Sequence, residues 1–154
     1  MAVNYGKKFE EKFKADFSTI EGASIDRLYD VMSGYKTISQ VADFLAYIFP
    51  NIYYLECKSH KGASIPIQNI TQYEKLKNKV GIHGVRAGVI LWLIDKEMIL
   101  YIPIATITQM LKDGEKSIGI RHLGKYNIKI IPTVKKRVFL TGDYSVLKQL
   151  KEGE

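Results

Sequence analysis

The side chains best suited to chemistry are the carboxylates of Asp43 and Glu56 and the ammonium group of Lys58. Alternate side chains of a strand share a face, so Glu56 and Lys58 are expected to point the same way. Charged groups on an otherwise apolar strand are costly unless they are paired, bind a metal or open onto a cleft. Asp43 precedes Glu56 by 13 residues, so an antiparallel hairpin would bring the two carboxylates together.

This trio has the composition needed for metal-assisted hydrolysis of a phosphodiester. Carboxylates bind Mg²⁺ or Mn²⁺ through hard oxygen ligands. The metal stabilises the charge that develops on the phosphate and lowers the pKa of a bound water. The lysine can orient that water or help to remove its proton. Taken alone the pattern is loose, and its alternative interpretation is a surface salt bridge.

The residue inventory disfavours other classes of site. Cys57 is the only cysteine, which excludes an intramolecular disulfide. Its position opposite Glu56 indicates a core residue rather than a nucleophile. The histidines, His60, His83 and His122, are isolated from one another, so a zinc module is not expected. The chain has no P-loop, GxGxxG or GxSxG element, so no nucleotide cofactor is predicted.

Several stretches of the chain, in order, resemble the PD-(D/E)xK nuclease superfamily, and within it the RecU-type Holliday junction resolvases and their phage relatives. The resemblance covers roughly residues 4–110. Its motifs are a glycine before the first helix, a first catalytic aspartate, an ExK signature and an S-x-P-x-x-N segment. In this chain they are Asn4-Tyr5-Gly6-Lys7-Lys8-Phe9-Glu10, Ala42-Asp43-Phe44, Leu55-Glu56-Cys57-Lys58 and Ser64-Ile65-Pro66-Ile67-Gln68-Asn69.

The resemblance implies a role for each matching residue. Asp43 and Glu56 would be metal ligands, and Lys58 would orient or help to activate the attacking water. Glu10, on the first helix, would be a further metal or water ligand. Gln68 would support the site through hydrogen bonds.

Two of these assignments have alternatives nearby. Glu11 lies only about 100° further round the helix than Glu10. Glu10 is preferred because of its spacing from Gly6 and because it borders the apolar stripe of the helix. Gln72 lies one helical turn from Gln68 and is a weaker candidate for the same supporting role.

The resemblance also implies an activity: a metal-dependent, structure-selective endodeoxyribonuclease that resolves four-way (Holliday) DNA junctions by paired symmetric nicks. Mg²⁺ is the expected cofactor, with Mn²⁺ as an alternative. Two nicks across one junction require two active sites, so a homodimer is expected. The alternatives are a restriction-like or repair endonuclease acting on duplex or flapped DNA, and a non-catalytic DNA-binding protein with the same fold.

The net charge of +7 is concentrated in one stretch. Residues 1–37 carry six basic and six acidic side chains, whereas residues 115–137 carry seven basic and one acidic. Such a cluster predicts contacts with DNA phosphates, against the alternative of a solvated face. Resemblance to the phage relatives suggests that the charged segment SIDRLYD, which contains Arg27, is a loop that engages DNA or borders the active site, against the alternative of a solvated loop. The predicted DNA contacts are Lys116, Arg121, Lys125, Lys135, Lys136, Arg137 and Arg27.

Hydrophobic periodicity indicates the elements that would position these residues. Phenylalanines recur every four residues over 5–17, which predicts an amphipathic helix, and residues 21–39 are interpreted as a long loop with local turns. Two apolar runs, 41–49 and 52–58, predict a β-hairpin.

The rest of the chain alternates between strand and helix signals. The expected elements are an extended piece at 65–67, a helix capped by Asn69 or Thr71 and running to about residue 80, strands at 85–94 and 98–102, a helix over 105–112, a strand at 128–131, and a helix capped by Thr141 or Asp143 and ending at Leu150.

This order predicts an α/β, restriction-endonuclease-like domain with a mixed central β-sheet flanked by helices. The length favours one nuclease domain over residues 1–154, with residues 115–137 either in the core or an appended DNA-contacting element. The sequence has no apolar run of 18 residues and no signal-peptide segment. A soluble protein without membrane contact is therefore expected, in the cytoplasm of a bacterial or phage-infected host cell.

Overall fold

The computed structural model describes residues 4–149, and its centre is a six-stranded mixed β-sheet. The strands are β1 (Ser24–Arg27), β4 (Phe44–Ile48), β5 (Asn51–His60), β7 (Val85–Leu93), β8 (Met98–Pro103) and β10 (Lys129–Ile131). They lie side by side in the order β1-β4-β5-β7-β8-β10. The pair β5–β7 is parallel and the other neighbours are antiparallel, so the predicted mixed sheet is confirmed.

The remaining elements surround this sheet. The helices are α1 (Tyr5–Phe17), α2 (Tyr73–Lys77) and α3 (Ile104–Lys112), with 3₁₀ turns at Ile67–Asn69, Ile120–His122 and Tyr144–Gln149. Three two-stranded sheets pair β2 (Val31–Ser33) with β3 (Lys36–Ile38), β6 (Ser64–Pro66) with β9 (Ser117–Gly119), and β11 (Thr133–Lys136) with β12 (Phe139–Gly142). Within residues 4–149, every helix is too short or too polar to cross a membrane.

The first helix forms as predicted because its apolar side chains lie on one stripe and its first turn is capped. The Oδ1 atom of Asn4 accepts a hydrogen bond of 3.0 Å from the backbone N–H of Lys7. Phe9, Phe13 and Phe17 are all buried. The stripe therefore decides which side of α1 packs on the sheet.

The predicted hairpin is confirmed as β4 and β5, and β5 then runs parallel to β7 along its length. Eight of the nine residues of β7 are buried, as expected for a strand covered on both faces. One face packs against α1 and holds Leu55, Cys57 and Trp92. The other face packs against α2 and α3. The predicted core positions of Cys57 and Trp92 are thus confirmed.

The prediction of a loop over residues 21–39 was wrong. This stretch contains the edge strand β1 and the exposed hairpin β2–β3. Only Ile25 is buried among the four residues of β1, too few for an alternating signal. Pairing with β4 makes the strand, and this pairing depends on tertiary structure. Asp43 lies directly before β4 rather than on it.

Two helix predictions also differ from the structure. The helix expected to run to about residue 80 ends at Lys77, and its N-cap is Gln72 rather than Asn69 or Thr71. The expected C-terminal helix is a 3₁₀ turn over 144–149, and Leu150 lies outside the described residues. These segments are one or two turns long, so tertiary contacts outweigh local propensity in them. The strands at 85–94, 98–102 and 128–131 and the helix at 105–112 agree with prediction to within one or two residues.

The basic segment, residues 115–137, is divided between several parts of the fold. Its first part forms β9, which pairs with β6 just after the end of β5. Its middle part supplies β10, an edge strand of the central sheet. Its last part is β11, whose hairpin with β12 packs on α1 through Phe139 and Tyr5, with ring centroids 6.3 Å apart.

Candidate active site

The second half of β5 presents Glu56 and Lys58 on the face away from α1, as alternation requires. Glu56 is buried, with 2% of its surface exposed, whereas the Lys58 side chain is 28% exposed. The Lys58 Nζ lies 3.4 Å from the Glu56 Oε1. The other carboxylate oxygen, Oε2, is buried and has no hydrogen-bond partner among the described residues. A carboxylate in this position is costly in the free protein, so its retention favours a ligand-binding role.

The hairpin register brings Asp43 to the same place. Phe44 pairs with Leu55, so the preceding aspartate lies next to the following part of β5. The Asp43 Oδ2 accepts a hydrogen bond of 2.9 Å from the backbone N–H of Cys57. This bond orients the carboxylate through the main chain of the strand that carries Glu56. The predicted meeting of Asp43 and Glu56 is therefore seen in the structure.

Arg27 joins this group from the edge strand β1. Its Nη2 lies 3.2 Å from the Glu10 Oε2, and its Nη1 lies 3.5 Å from the Asp43 Oδ1. The Nη1 also donates to the backbone carbonyl oxygens of Leu28 at 2.7 Å and Asp43 at 2.8 Å. The guanidinium therefore bridges the helix carboxylate and the hairpin carboxylate. Glu11 is exposed, so the geometry favours Glu10 over it as the helix member of the site.

Burial shifts the titration of two carboxyls in this group. Burial raises the pKa of Glu56 above its ordinary value, the Lys58 ammonium opposes the rise, and Asp43 adds to it. Burial also raises the pKa of Glu10, with a further increase from Asp43 and an opposing effect from Arg27. The Cys57 thiol is buried, and burial raises its pKa well above the usual value, so it stays protonated. The carboxyls of Glu10 and Glu56 are thus protonated more readily than exposed carboxyls are.

The donor chemistry fits a hard divalent cation. Glu10, Asp43 and Glu56 offer carboxylate oxygens, and the Glu56 Oε2 is buried without a hydrogen-bond partner. Within residues 4–149, however, no three His, Cys, Asp or Glu side chains form a ready metal-binding group. Arg27 lies against two of the three carboxylates and Lys58 against the third. The metal ligands therefore stay a prediction, and binding would require these ion pairs to rearrange.

The predicted supporting glutamine lies outside this group. Gln68 is exposed on the 3₁₀ turn and lines an apolar depression with Ile67 and Tyr73. A backbone hydrogen bond from Gln72, the N-cap of α2, lowers the pKa of Glu56 against the effect of burial. From the sequence, the side chain of Gln72 was the weaker candidate, after Gln68, for supporting the site through hydrogen bonds. The backbone N–H of Gln72 makes the contact instead, and a backbone contact has no signature in the sequence.

The chain matches no protein-family model and no curated protein. Among solved structures it is similar to the 1.6 Å resolution structure of Hjc, a Holliday junction resolvase from the archaeal hyperthermophile Archaeoglobus fulgidus. The two share 20% sequence identity and a TM-score of 0.57, over 79% of this chain and 93% of that chain. The chain has the restriction-endonuclease-like fold.

The predicted DNA contacts lie in three parts of the restriction-endonuclease-like fold. Lys116, Arg121 and Lys125 are exposed near β9, and the Arg121 Nη2 lies 2.7 Å from the Glu115 Oε2. Lys135, Lys136 and Arg137 are exposed at the turn of the β11–β12 hairpin, where Lys135 pairs with Glu97. Arg27 lies instead in the acidic group, which consists of the carboxylates of Glu10, Asp43 and Glu56 and the cations paired with them. Their contacts with DNA stay predictions.

Replacing Glu56 by glutamine should raise the free energy of unfolding at neutral pH by about 1 kcal/mol. The neutral amide is cheaper to bury than the carboxylate, and the partly exposed Lys58 stays hydrated. Since the pKa of Glu56 is raised in the folded state, its contribution to stability is full below the unfolded pKa and lost as pH rises through the folded pKa. The gain should therefore be largest at neutral pH and vanish in acid. Urea unfolding of wild type and Glu56→Gln at neutral pH and in acid measures this difference in the free energy of unfolding.

The exposed Glu11 provides the control, because Glu11→Gln changes the same charge on the surface of α1. It should leave the free energy of unfolding nearly unchanged at both pH values. A loss of stability in Glu56→Gln at neutral pH, or an equal gain at both pH values, would show that Lys58 and the Gln72 backbone offset the burial of the Glu56 carboxylate in full.

Proposed function

We propose that the protein is a metal-dependent, structure-selective endodeoxyribonuclease that resolves four-way DNA junctions by paired symmetric nicks. The observation that carries the proposal is the meeting of Asp43, Glu56 and Lys58 at one place, with a buried Glu56 oxygen that has no hydrogen-bond partner. The fold is shared with a protein described as a Holliday junction resolvase, which supports a nuclease acting on branched DNA.

Glu10, Asp43 and Glu56 are the residues proposed to hold Mg²⁺ or Mn²⁺. When bound, such an ion supplies Lewis-acid stabilisation of phosphate charge and a water of lowered pKa. The chain itself contributes orientation and charge. The Cys57 N–H holds the Asp43 carboxylate in place, and Lys58 places a cation beside Glu56 where an attacking water can be oriented.

DNA binding would rest mainly on phosphate contacts and on the shape of the junction, because a resolvase must act on many sequences. The exposed cations near β9 and at the β11–β12 turn are proposed to neutralise phosphates. The hairpin packs on Tyr5 at the start of α1, the helix that also carries Glu10. We propose a homodimer, since each of the two nicks needs its own active site. The cytoplasm of a bacterial or phage-infected cell is the proposed site of action.

The RecU-type subgroup is proposed from the sequence segments that resemble it. Gly6 lies one turn before Glu10, and an alanine side chain there would lie 3.9 Å from the Ser59 Oγ at the end of β5. Residues 64–69 continue from β5 through β6 into the 3₁₀ turn, where Gln68 would serve the site after a rearrangement on DNA binding.

The test is cleavage of a synthetic four-way junction with a different label on each strand. With Mg²⁺ the protein should introduce nicks at symmetric positions in two opposing strands. It should cut linear duplexes of the same arm sequences at least about tenfold more slowly, a discrimination of about 1.4 kcal/mol. Equal rates on junction and duplex would indicate a restriction-like enzyme. Tight junction binding without metal-dependent cleavage would indicate a DNA-binding protein and would overturn the proposal.

A further inference from the structure

Arg27 makes two ion pairs with carboxylates and two hydrogen bonds with backbone carbonyl oxygens. Its guanidinium contacts Glu10 at 3.2 Å and Asp43 at 3.5 Å. Its side chain is 25% exposed, so these pairs are only partly screened by water. The guanidinium carbon also lies 5.3 Å from the ring centre of Phe44 and 5.4 Å from that of Tyr29. Contacts on several sides hold the group in one place.

The two ends of this guanidinium have different partners. The Nη1 donates to two backbone carbonyl oxygens, of Leu28 and Asp43. The Nη2 faces the Glu10 carboxylate. Backbone carbonyls are fixed by the sheet and the turn, and the Cys57 N–H holds only the Oδ2 atom of Asp43. The Nη1 can therefore keep its backbone bonds while the Glu10 pair, and the longer approach of 3.5 Å to the Asp43 Oδ1, exchange for another cation.

The carboxylate oxygens that Arg27 contacts are those that would hold a divalent cation. A guanidinium and a dication within a few ångströms repel one another, and both are attracted to the same oxygens. In residues 4–149 the carboxylates from α1, the loop before β4, and β5 form no ready metal-binding group, and Arg27 and Lys58 are paired with them. The guanidinium between Glu10 and Asp43 offsets the repulsion of these two carboxylates in the free protein.

We propose that Arg27 is a cationic placeholder, which pairs with Glu10 and Asp43 in the metal-free protein and which a divalent cation must displace from these carboxylates. The inference rests on the metal site of the proposed function. It makes Arg27 a positioning residue, which keeps the site assembled before metal and DNA arrive. The guanidinium already lines a groove that contains both cations and carboxylates, namely Lys7, Lys14, Glu10 and Glu11, so it can stay there after a dication has taken its place.

The test is Mn²⁺ binding to the protein without DNA, measured by calorimetry, with Arg27→Met and Arg27→Lys. Arg27→Met removes the charge and keeps a long apolar side chain, so its melting temperature without metal should fall. Its affinity for Mn²⁺ should rise about tenfold, and its melting temperature should rise more with Mn²⁺ than that of the wild type. Arg27→Lys keeps the charge and should bind Mn²⁺ nearly as weakly as the wild type does.

Arg121→Met is the matched control, because it removes the same charge from a pair with Glu115. Its Mn²⁺ affinity should equal that of the wild type. A second measurement uses the wild type alone: the side-chain ¹H–¹⁵N signal of Arg27 should move during a Mg²⁺ titration, so the test survives if Arg27→Met fails to fold.

Unchanged or weaker Mn²⁺ binding in folded Arg27→Met, or an Arg27 signal unaffected by saturating Mg²⁺, would overturn the inference. Cleavage of the junction by wild type together with either result would leave the proposed function standing. Tighter Mn²⁺ binding by Arg27→Met, together with a wild type that cuts no junction, would support the inference about Arg27 and overturn the proposed function. The absence of Mn²⁺ binding in the wild type and in all variants at millimolar concentrations would by itself be enough to overturn the inference about Arg27.

Discussion

Replacing Asp43 by asparagine should lower the rate of four-way junction cleavage by about a thousandfold, which corresponds to a loss of about 4 kcal/mol of transition-state stabilisation. The amide has a weaker and uncharged oxygen ligand for a divalent cation. Its oxygen can still accept the hydrogen bond that the Cys57 N–H donates to Asp43, so the hairpin should keep its geometry. Single-turnover cleavage at saturating protein isolates the chemical step from DNA binding.

Asp26→Asn is the control for this substitution. Asp26 is exposed on β1, next to Arg27 in the chain, so the same change in charge occurs close to the site without removing a proposed ligand. The control variant Asp26→Asn should cleave the junction at nearly the wild-type rate. In the test variant Asp43→Asn, junction affinity and melting temperature should stay near the wild-type values although cleavage is slow. Undiminished cleavage by folded Asp43→Asn would remove this carboxylate from the mechanism.

Neutralising the turn of the β11–β12 hairpin should weaken junction binding and flatten its dependence on salt. The double variant is Lys136→Gln with Arg137→Asn, and asparagine is chosen because Arg137 has a φ of 60°, which asparagine tolerates. If both cations contact phosphates, the slope of log affinity against log salt concentration should fall by about 2. Fluorescence anisotropy of a labelled junction over a series of salt concentrations measures that slope.

The comparison for this variant is Lys112→Gln with Lys148→Gln, which removes the same charge from exposed positions outside the hairpin. This pair tests whether net charge alone accounts for the change. Equal slopes in the two double variants would make the β11–β12 turn a solvated face. A slope reduced only in the hairpin variant would place this turn on the DNA.

The sequence by itself determined the elements with strong, long periodicity. α1 was predicted over residues 5–17 because its phenylalanines recur at helical spacing, and the same residues are buried in the structure. The hairpin and β7 were predicted because their runs of apolar and β-branched residues are long enough to indicate strands. Alternation along β5 was sufficient to separate the face of Glu56 from that of Cys57.

The spacing of Asp43 and Glu56 also carried information about the site. A hairpin with a short turn has one register consistent with its apolar pattern, so a separation of 13 residues was sufficient to predict that they meet. The position of Glu10 followed from the resemblance together with the phase of the helix. These are local relations, in which sequence distance and spatial distance are linked through one or two elements.

Only the tertiary structure decided the placement of Arg27. Four residues with one buried side chain carry no periodic signal, so β1 becomes a strand only through its hydrogen bonds with β4. This pairing brings Arg27, which was predicted in a loop that engages DNA or borders the active site, into contact with the carboxylates of Glu10 and Asp43. Lys58 comes from the predicted hairpin, but the other cation of the acidic group thus comes from an edge strand. Edge strands form through contacts between segments distant in the sequence, which composition and spacing do not encode.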